Sequence, residues 1–155
     1  MSPGKAFNIA GLKIGFAIIQ DAGLRARVLA CRQGMVDSVN GLGMAATRAA
    51  FTDCGAWLDA LVAQLQENRD HLMHAVATRM PHVRMARPEA TFLAWLDLRD
   101  AGLGPNPAGA LLQRGRIGLN PGLDFGAAGF ARLNFGCSRS TLDEGIARIA
   151  ACIAG

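Results

Sequence analysis

Apolar residues recur along the chain at two different spacings, and the change between them divides the sequence. Between about residues 40 and 80 the large apolar residues stand mostly four positions apart, which is typical of a helix with one buried face; they are Trp57, Leu61, Leu65, Leu72 and Val76. Pro81 ends this run because proline does not fit a helix interior. The pattern therefore predicts a helical first part and a different second part, with a boundary near residue 80.

The front of the chain combines a turn-forming start with one short apolar run. Residues 1–13 are rich in Gly, Pro and Asn and are predicted to form a loop. Residues 14–19 form an apolar run between turn formers, which predicts a buried strand. Asp21 is then expected to be the N-cap of a helix.

After Pro81 the apolar runs shorten, which favours strands. Strands are predicted over residues 83–85, 91–96, 117–119 and 131–135, with a helix over 107–114. A last helix is expected to begin with Ser140 as its cap. The second part is therefore predicted to be α+β, with a small sheet and its helices on one side.

The composition is that of a folded protein, with 51% hydrophobic and 18% charged residues. No apolar run approaches the roughly 18–20 residues that span a bilayer, and no signal peptide is visible, so we expect a cytoplasmic protein without membrane contact. The four cysteines are widely separated, which favours reduced thiols over a disulfide framework.

Three other classes of function find little support in the sequence. The net charge is +4, but the arginines are scattered and tyrosine is absent, which argues against a nucleic-acid-binding surface. His71 and His74 have no Glu or Cys beside them in a known ligand pattern, so no metal site is predicted. Residues 41–46 match G-x-G-x-x-A, but no strand precedes them, so a helix–helix junction is the better interpretation.

The basic residues are distributed in an unusual way. Of 16 lysines and arginines, only Lys5 and Lys13 are lysines. A lysine amine can lose its proton and form an imine, whereas a guanidinium does neither near neutral pH. Ser2 precedes Lys5 by three positions, so an amine, a hydroxyl and a second cation lie close in sequence, as pyridoxal phosphate (PLP) requires. Chance in an arginine-rich chain is the alternative.

The predicted strand over residues 131–135 carries a second candidate. Alternation places Leu133 and Phe135 on one face and Arg132 and Asn134 on the other. An arginine fixed on a strand is a good bidentate ligand for a carboxylate. The alternative is a solvated strand face.

Several segments together resemble a known family. The segment from Ser2 to Lys13 resembles the active-site lysine segment of fold-type I PLP enzymes, the aspartate aminotransferase superfamily. Within it the similarity is closest to the PatB/MalY branch of cystathionine β-lyases. Residues 88–97, 118–126 and 130–136 are similar to that branch's small-domain strand, glycine-rich turn and substrate-binding strand.

The resemblance implies a role for each candidate residue. Lys5 would bind PLP covalently and act as the base, Ser2 and Lys13 would contact the cofactor phosphate, and Arg132 would hold the substrate α-carboxylate. Residues 1–80 would be the end of the large PLP-binding domain with a linking helix, and 81–155 the small domain. The fold class is then α/β passing to α+β. The chain would be the carboxy-terminal portion of an enzyme that is a homodimer and acts on a small amino acid.

The activity that the resemblance implies is cleavage of a Cβ–S bond by α,β-elimination, giving pyruvate, ammonia and a thiol. An aminotransferase would use the same residues and remains an alternative. A catalytically incomplete fragment or an interaction module is the alternative from another class. We also expect the isolated chain to expose apolar surface, with residues 14–19 as an unpaired edge, and to be poorly soluble.

Overall fold

The computed structural model describes residues 2–32 and 38–154. The chain divides into two compact units, Met1–Leu61 and Val62–Gly155. This division falls inside a long helix, α4 (Gly55–Arg79). The assignment of residues 1–80 and 81–155 to two domains stays a prediction. No helix in the described part of the chain is long and apolar enough to cross a membrane.

The first unit consists of helices joined by irregular segments. It contains a short helix α1 (Pro3–Ala6), a 3₁₀ turn (Ala10–Leu12), α2 (Ala22–Cys31), α3 (Gly41–Asp53) and the beginning of α4. Asp21 is the N-cap of α2, as the sequence predicted. Its side chain accepts a hydrogen bond from the Leu24 N–H at 2.5 Å. The prediction of a loop over residues 1–13 is wrong at Pro3–Ala6 and Ala10–Leu12, because these residues form α1 and the 3₁₀ turn.

The predicted buried strand over residues 14–19 is also wrong. This segment is assigned to neither helix nor strand, and Phe16 and Ile18 are 37% and 74% exposed. A strand requires neighbours that accept and donate its backbone hydrogen bonds. The described residues of the first unit contain no strand that could supply them.

α4 confirms the predicted helical periodicity. It ends at Arg79, just before Pro81, and Cys54 separates it from α3. Its carboxy-terminal half lies in the second unit, where Leu72 and Val76 are buried. The spacing of the apolar residues therefore identified the buried side correctly in this half, whereas Trp57, near the start of the helix, is 47% exposed.

The second unit contains a four-stranded antiparallel sheet in the order β1-β2-β4-β3. The strands are β1 (Arg84–Met85), β2 (Leu93–Asp97), β3 (Asn120–Pro121) and β4 (Phe130–Asn134). Three of the four predicted strands are confirmed within the usual uncertainty of element ends.

The predicted strand over residues 117–119 is wrong, because these residues close a helix. The helix α5 (Pro107–Gly115) ends with Arg116 in the left-handed conformation. The Ile117 N–H then donates to the carbonyl of Leu111 at 3.4 Å. The backbone N–H of Ile117, which a strand would use to pair with a neighbour, is thus bonded at the end of the helix.

The last helix, α6 (Arg139–Ala154), begins earlier than predicted. The Oγ of Ser138, and not that of Ser140, accepts the hydrogen bond from the Thr141 N–H, at 3.2 Å. Ser138 is therefore the cap, and Ser140 lies in the first turn. The helix carries one apolar stripe, in which Leu142, Ile146 and Ile149 are buried.

The main core lies in the second unit. One face of the sheet contributes Ala94, Leu96, Ala131 and Leu133, which are all buried together with the stripe of α6. The predicted α+β class is confirmed by this arrangement of helices and a small antiparallel sheet. The opposite face of the sheet carries Arg132.

Candidate active site

Lys5 lies on the one-turn helix α1, which Ser2 holds at its start. The Ser2 Oγ accepts a hydrogen bond from the Gly4 N–H at 3.3 Å and donates to the Ile14 carbonyl at 3.4 Å. Pro3 and Gly4 are buried, whereas the Lys5 side chain is exposed. Among the described residues, the Lys5 amine has no hydrogen-bond or ion-pair partner. The segment therefore presents a free amine from an anchored backbone.

Gly4 explains how the chain folds back behind Lys5. A Cβ on Gly4 would lie 3.0 Å from the Ala10 Cα, so only glycine allows this close approach without a shift. The Ile9 N–H donates to the Gly4 carbonyl at 3.0 Å, with Asn8 between them at φ 55°. The 3₁₀ turn is thereby packed against the beginning of α1.

Lys13 closes the 3₁₀ turn in a left-handed conformation, with φ 50° and ψ 48°. Its N–H donates to the Ala10 carbonyl at 3.0 Å, and its side chain is exposed. Because Ser2 bonds to Ile14, the residue after Lys13, the hydroxyl and the second amine belong to one folded segment. The structure thus brings Ser2, Lys5 and Lys13 into the same small part of the first unit.

Asn40 ties this segment to α3. Its Nδ2 donates to the Leu12 carbonyl at 2.8 Å, while its Oδ1 accepts from the Gly43 N–H at 2.5 Å and so caps the helix. One side chain therefore fixes both a helix start and the backbone beside Lys13. Asn40 was not predicted from the sequence, although an Asn before a helix is a recognisable cap signal.

Arg132 lies in the second unit, on the face of the sheet opposite the core. In β4 the alternation is as predicted, with Ala131 and Leu133 buried, Arg132 half-buried and Asn134 exposed. The Nη2 of Arg132 donates to the Asn120 Oδ1 at 3.2 Å. The Arg132 Nε–H is shielded from solvent and has no hydrogen-bond partner among the described residues.

An aromatic ring lies over the guanidinium of Arg132, and further rings pack behind it. The Arg132 Cζ lies 4.6 Å from the centre of the Phe125 ring. Trp95 contacts Phe125 edge-on, with ring centres 5.6 Å apart, and stacks on Phe130 at 5.7 Å. The contacts of Phe125 and Asn120 with Arg132 could not be predicted from the sequence, because they follow from strand register and turn geometry.

Other polar clusters differ from these two sites in their chemistry. Arg99, bonded to Asp97, holds the pKa of that carboxyl down at about 2. His71 contacts Asp143 at 2.5 Å, with its imidazole Nε2 next to a carboxylate oxygen. Burial raises the pKa of the Cys137 thiol, which makes it a weaker nucleophile at neutral pH. No group of three or more His, Cys, Asp or Glu side chains suited to a metal ion occurs among the described residues.

The comparison with protein families decides what kind of chain this is. Residues 1–149 match the model of the family described as aminotransferase class I and II. The chain belongs to this family.

Individual relatives agree with the predicted branch. Cystathionine beta-lyase PatB from Bacillus subtilis is 36% identical over 98% of this chain and 40% of its own length. The crystal structure of OvoB superposes with a TM-score of 0.93 at 41% identity, covering 100% of this chain and 40% of OvoB. The PLP-bound C-S lyase from Staphylococcus hominis gives a TM-score of 0.89 at 29% identity, covering 99% of this chain and 41% of the lyase. The chain thus spans about 40% of the length of PatB.

Proposed function

We propose that this chain is part of a PLP-dependent enzyme that cleaves the Cβ–S bond of cysteine-like amino acids by α,β-elimination. The observation that carries the proposal is the exposed amine of Lys5, on an anchored segment of a chain that is similar to PatB over almost its whole length. Arg132, half-buried on its sheet and without an ion-pair partner among the described residues, would supply the matching group for a substrate carboxylate.

The residues around Lys5 fit the cofactor. PLP needs a primary amine for covalent attachment and hydroxyl and cationic groups for its phosphate. Lys5 would provide the amine, Lys13 would contact the phosphate, and the Ser2 hydroxyl would do so by turning its proton from the Ile14 carbonyl to the phosphate. The tight packing of Gly4 against Ala10 keeps these side chains on one short segment.

Lys5 and Arg132 would share the work of the reaction. When bound, PLP withdraws electrons from the substrate Cα and makes its proton acidic. Arg132 would bind the α-carboxylate through parallel N–H donors and orient the substrate. Once the substrate amine has replaced it on the cofactor, the Lys5 Nζ would be free to accept the Cα proton. The electron pair of the Cα–H bond would then form the Cα=Cβ double bond as the Cβ–S bond breaks, and the proton held on the Lys5 Nζ would pass to the sulfur, which would leave as a thiol. Addition of water to the remaining fragment gives pyruvate and ammonia.

An aminotransferase is the second candidate, because the matching family carries that name. Lys5 and Arg132 would have the same contacts, but the substrate would leave as its 2-oxo acid with no bond broken at Cβ. The products therefore separate the two candidates. A chain that is catalytically incomplete, or that serves as an interaction module, is the candidate from another class.

The test compares products from the chain alone with products from a longer protein that also includes the segment encoded in frame directly upstream. This longer protein is called the joined protein. With PLP and cystathionine, the proposal expects the joined protein to release pyruvate, and Lys5→Ala to abolish release. If the joined protein converts cystathionine only to the 2-oxo acid of cystathionine, with the Cβ–S bond intact, the lyase assignment is wrong. If neither protein reacts and neither binds PLP, the module candidate is favoured.

Arg132 is tested by Arg132→Lys, which keeps the charge and removes the planar pair of donors. We expect the KM for cystathionine to rise about tenfold or more, since one bidentate contact is lost. Arg87→Lys is the matched control, because Arg87 forms a surface ion pair with Asp70 at 2.9 Å. An equal effect of both variants would contradict the assigned role.

A homodimeric state and a cytoplasmic location form part of the same proposal. The exposed apolar side chains of α2 support an interface, since this helix has no buried residue; they are Leu24, Val28 and Leu29. Analytical ultracentrifugation of the joined protein should show a dimer, and cell fractionation should recover it with cytoplasmic markers. A monomer that is active would contradict the first expectation.

A further inference from the structure

Two arginines of the second unit stack on phenylalanine rings, but only one of them is neutralised. The Arg99 Cζ lies 5.0 Å from the Phe130 ring centre, and Arg99 also pairs with Asp97 at 2.8 Å. Arg132 has the corresponding contact with Phe125, yet its polar partner is the amide of Asn120. Within the part of the chain that the structure describes, Arg132 forms no ion pair. Its charge therefore stays available to an anion.

We propose that Asn120 and Phe125 are positioning residues that fix the guanidinium of Arg132 without neutralising it. A substrate α-carboxylate would then meet a cation that is already oriented and still fully charged. The inference rests on the proposed role of Arg132 and extends it to two residues that do not themselves contact the reacting atoms.

The contact with Asn120 follows from the sheet register. Asn120 of β3 lies directly opposite Arg132 of β4, and Trp95 of β2 lies opposite it on the other side. Directly opposed residues share one face of a sheet, so these three side chains are neighbours. The amide oxygen of Asn120 accepts one N–H of the five that a guanidinium carries, which leaves donors for a carboxylate. An aspartate there would take the same hydrogen bond and cancel the charge as well.

The contact with Phe125 follows from a tight turn. Phe125 ends the 3₁₀ helix Gly122–Phe125, and Gly126 continues in the left-handed region at φ 75°. A Cβ on Gly122 would lie 2.3 Å from the Ala127 carbonyl oxygen, so no other residue fits this turn without a backbone shift. The turn thus holds the Phe125 ring against the guanidinium, while Trp95 supports the ring from its edge. An aromatic face attracts a cation without forming an ion pair.

The first test uses the joined protein and the split between KM and kcat. Asn120→Asp preserves the shape of the side chain, so folding is retained while the charge of Arg132 is cancelled. We expect the KM for cystathionine to rise about tenfold or more, and kcat to change less than about threefold, as for loss of uniform substrate binding. Asn120→Ala should raise KM less, because it removes the hydrogen bond but adds no charge. A KM for Asn120→Asp within about twofold of the parent value would overturn the role of Asn120.

The second test does not depend on activity. In the ¹⁵N-labelled chain, nuclear magnetic resonance can follow solvent exchange of the Arg132 Nε–H, which is shielded in the structure. Phe125→Leu should accelerate this exchange several-fold, whereas Leu123→Ala, at an exposed position of the same turn, should leave it unchanged. Unchanged exchange in Phe125→Leu would overturn the role of Phe125.

The two tests also separate this inference from the proposed function. If the joined parent protein releases no pyruvate, the lyase assignment fails. The exchange measurement on Arg132 in the chain alone still decides whether the guanidinium is held by Phe125, and Asn120→Ala measured in the same way decides the contribution of Asn120.

Discussion

The two units of the chain each present one candidate group, but they hold it in different ways. In the first unit, helix α2 has no buried residue and α3 buries only Gly43 and Ala50. In the second unit, both strands β2 and β4 and helix α6 contribute fully buried side chains to one core. Lys5 therefore depends on a network of hydrogen bonds, whereas Arg132 depends on a packed sheet.

This difference indicates which part can be stable by itself. Burial of apolar side chains is the main favourable term in folding, at about 25 cal/mol per Å² of apolar surface removed from water. The second unit makes such contacts within itself. The first unit leaves large apolar side chains exposed, among them Ile18, Leu42 and Met44. We infer that the first unit gains its full stability from surfaces that cover these side chains.

Paired leucine substitutions test the difference most strongly. Leu96→Ala in β2, at a fully buried position, should lower the free energy of unfolding of the second unit by about 2–5 kcal/mol. Leu29→Ala in α2, at a position 54% exposed, should cost less than about 0.5 kcal/mol. The chain has two tryptophans, Trp57 and Trp95, one in each unit, so urea unfolding can be followed separately after Trp57→Phe or Trp95→Phe. Equal effects of the two leucine variants would show that the units do not differ.

Two asparagines give a smaller comparison. Asn68 is buried and donates to the carbonyls of Phe135 and Cys137 at 3.1 and 2.9 Å, so Asn68→Ala should destabilise the second unit by about 1–3 kcal/mol. Asn40 is exposed and caps α3, so Asn40→Ala should cost about 1 kcal/mol. Circular dichroism during urea unfolding measures both. A larger loss for Asn40 than for Asn68 would contradict the view that burial sets the cost.

The smallest expected effect concerns pH. Because Arg99 lowers the pKa of Asp97 from 3.8 to about 2, the ionised carboxylate favours the folded second unit. This contribution is complete above the unfolded value of 3.8 and is lost as the pH falls through about 2. Asp97→Asn should therefore flatten the pH dependence of unfolding between these values. Arg99→Gln removes the cause of the shift and should flatten it similarly; an unchanged slope in both variants would refute the assignment.

Local patterns predicted the elements that depend on nearby residues. The Asp21 cap, the run ending at Pro81 and the exposed side of Arg132 follow from spacing and capping, and the structure confirms them. Residues 14–19 were predicted wrongly because a strand depends on neighbours that its own sequence does not reveal.

The candidate site shows the same limit. Ser2, Lys5 and Lys13 were found because they are close in sequence and resemble a known segment. Asn120 and Phe125 were not given roles, since their contacts with Arg132 require the register of β3 on β4 and the turn at Gly122. These features appear only after the chain is folded.

The most direct test of the proposed site is the position at which PLP attaches. Because Lys5 and Lys13 are the two lysines of the sequence, borohydride reduction of the PLP-treated joined protein, followed by peptide mapping, distinguishes them within this chain. We predict that the label within this chain lies on Lys5, that Lys13→Ala retains it and that Lys5→Ala loses it. A label on Lys13 in preference to Lys5, or no label on either lysine, would contradict the proposal.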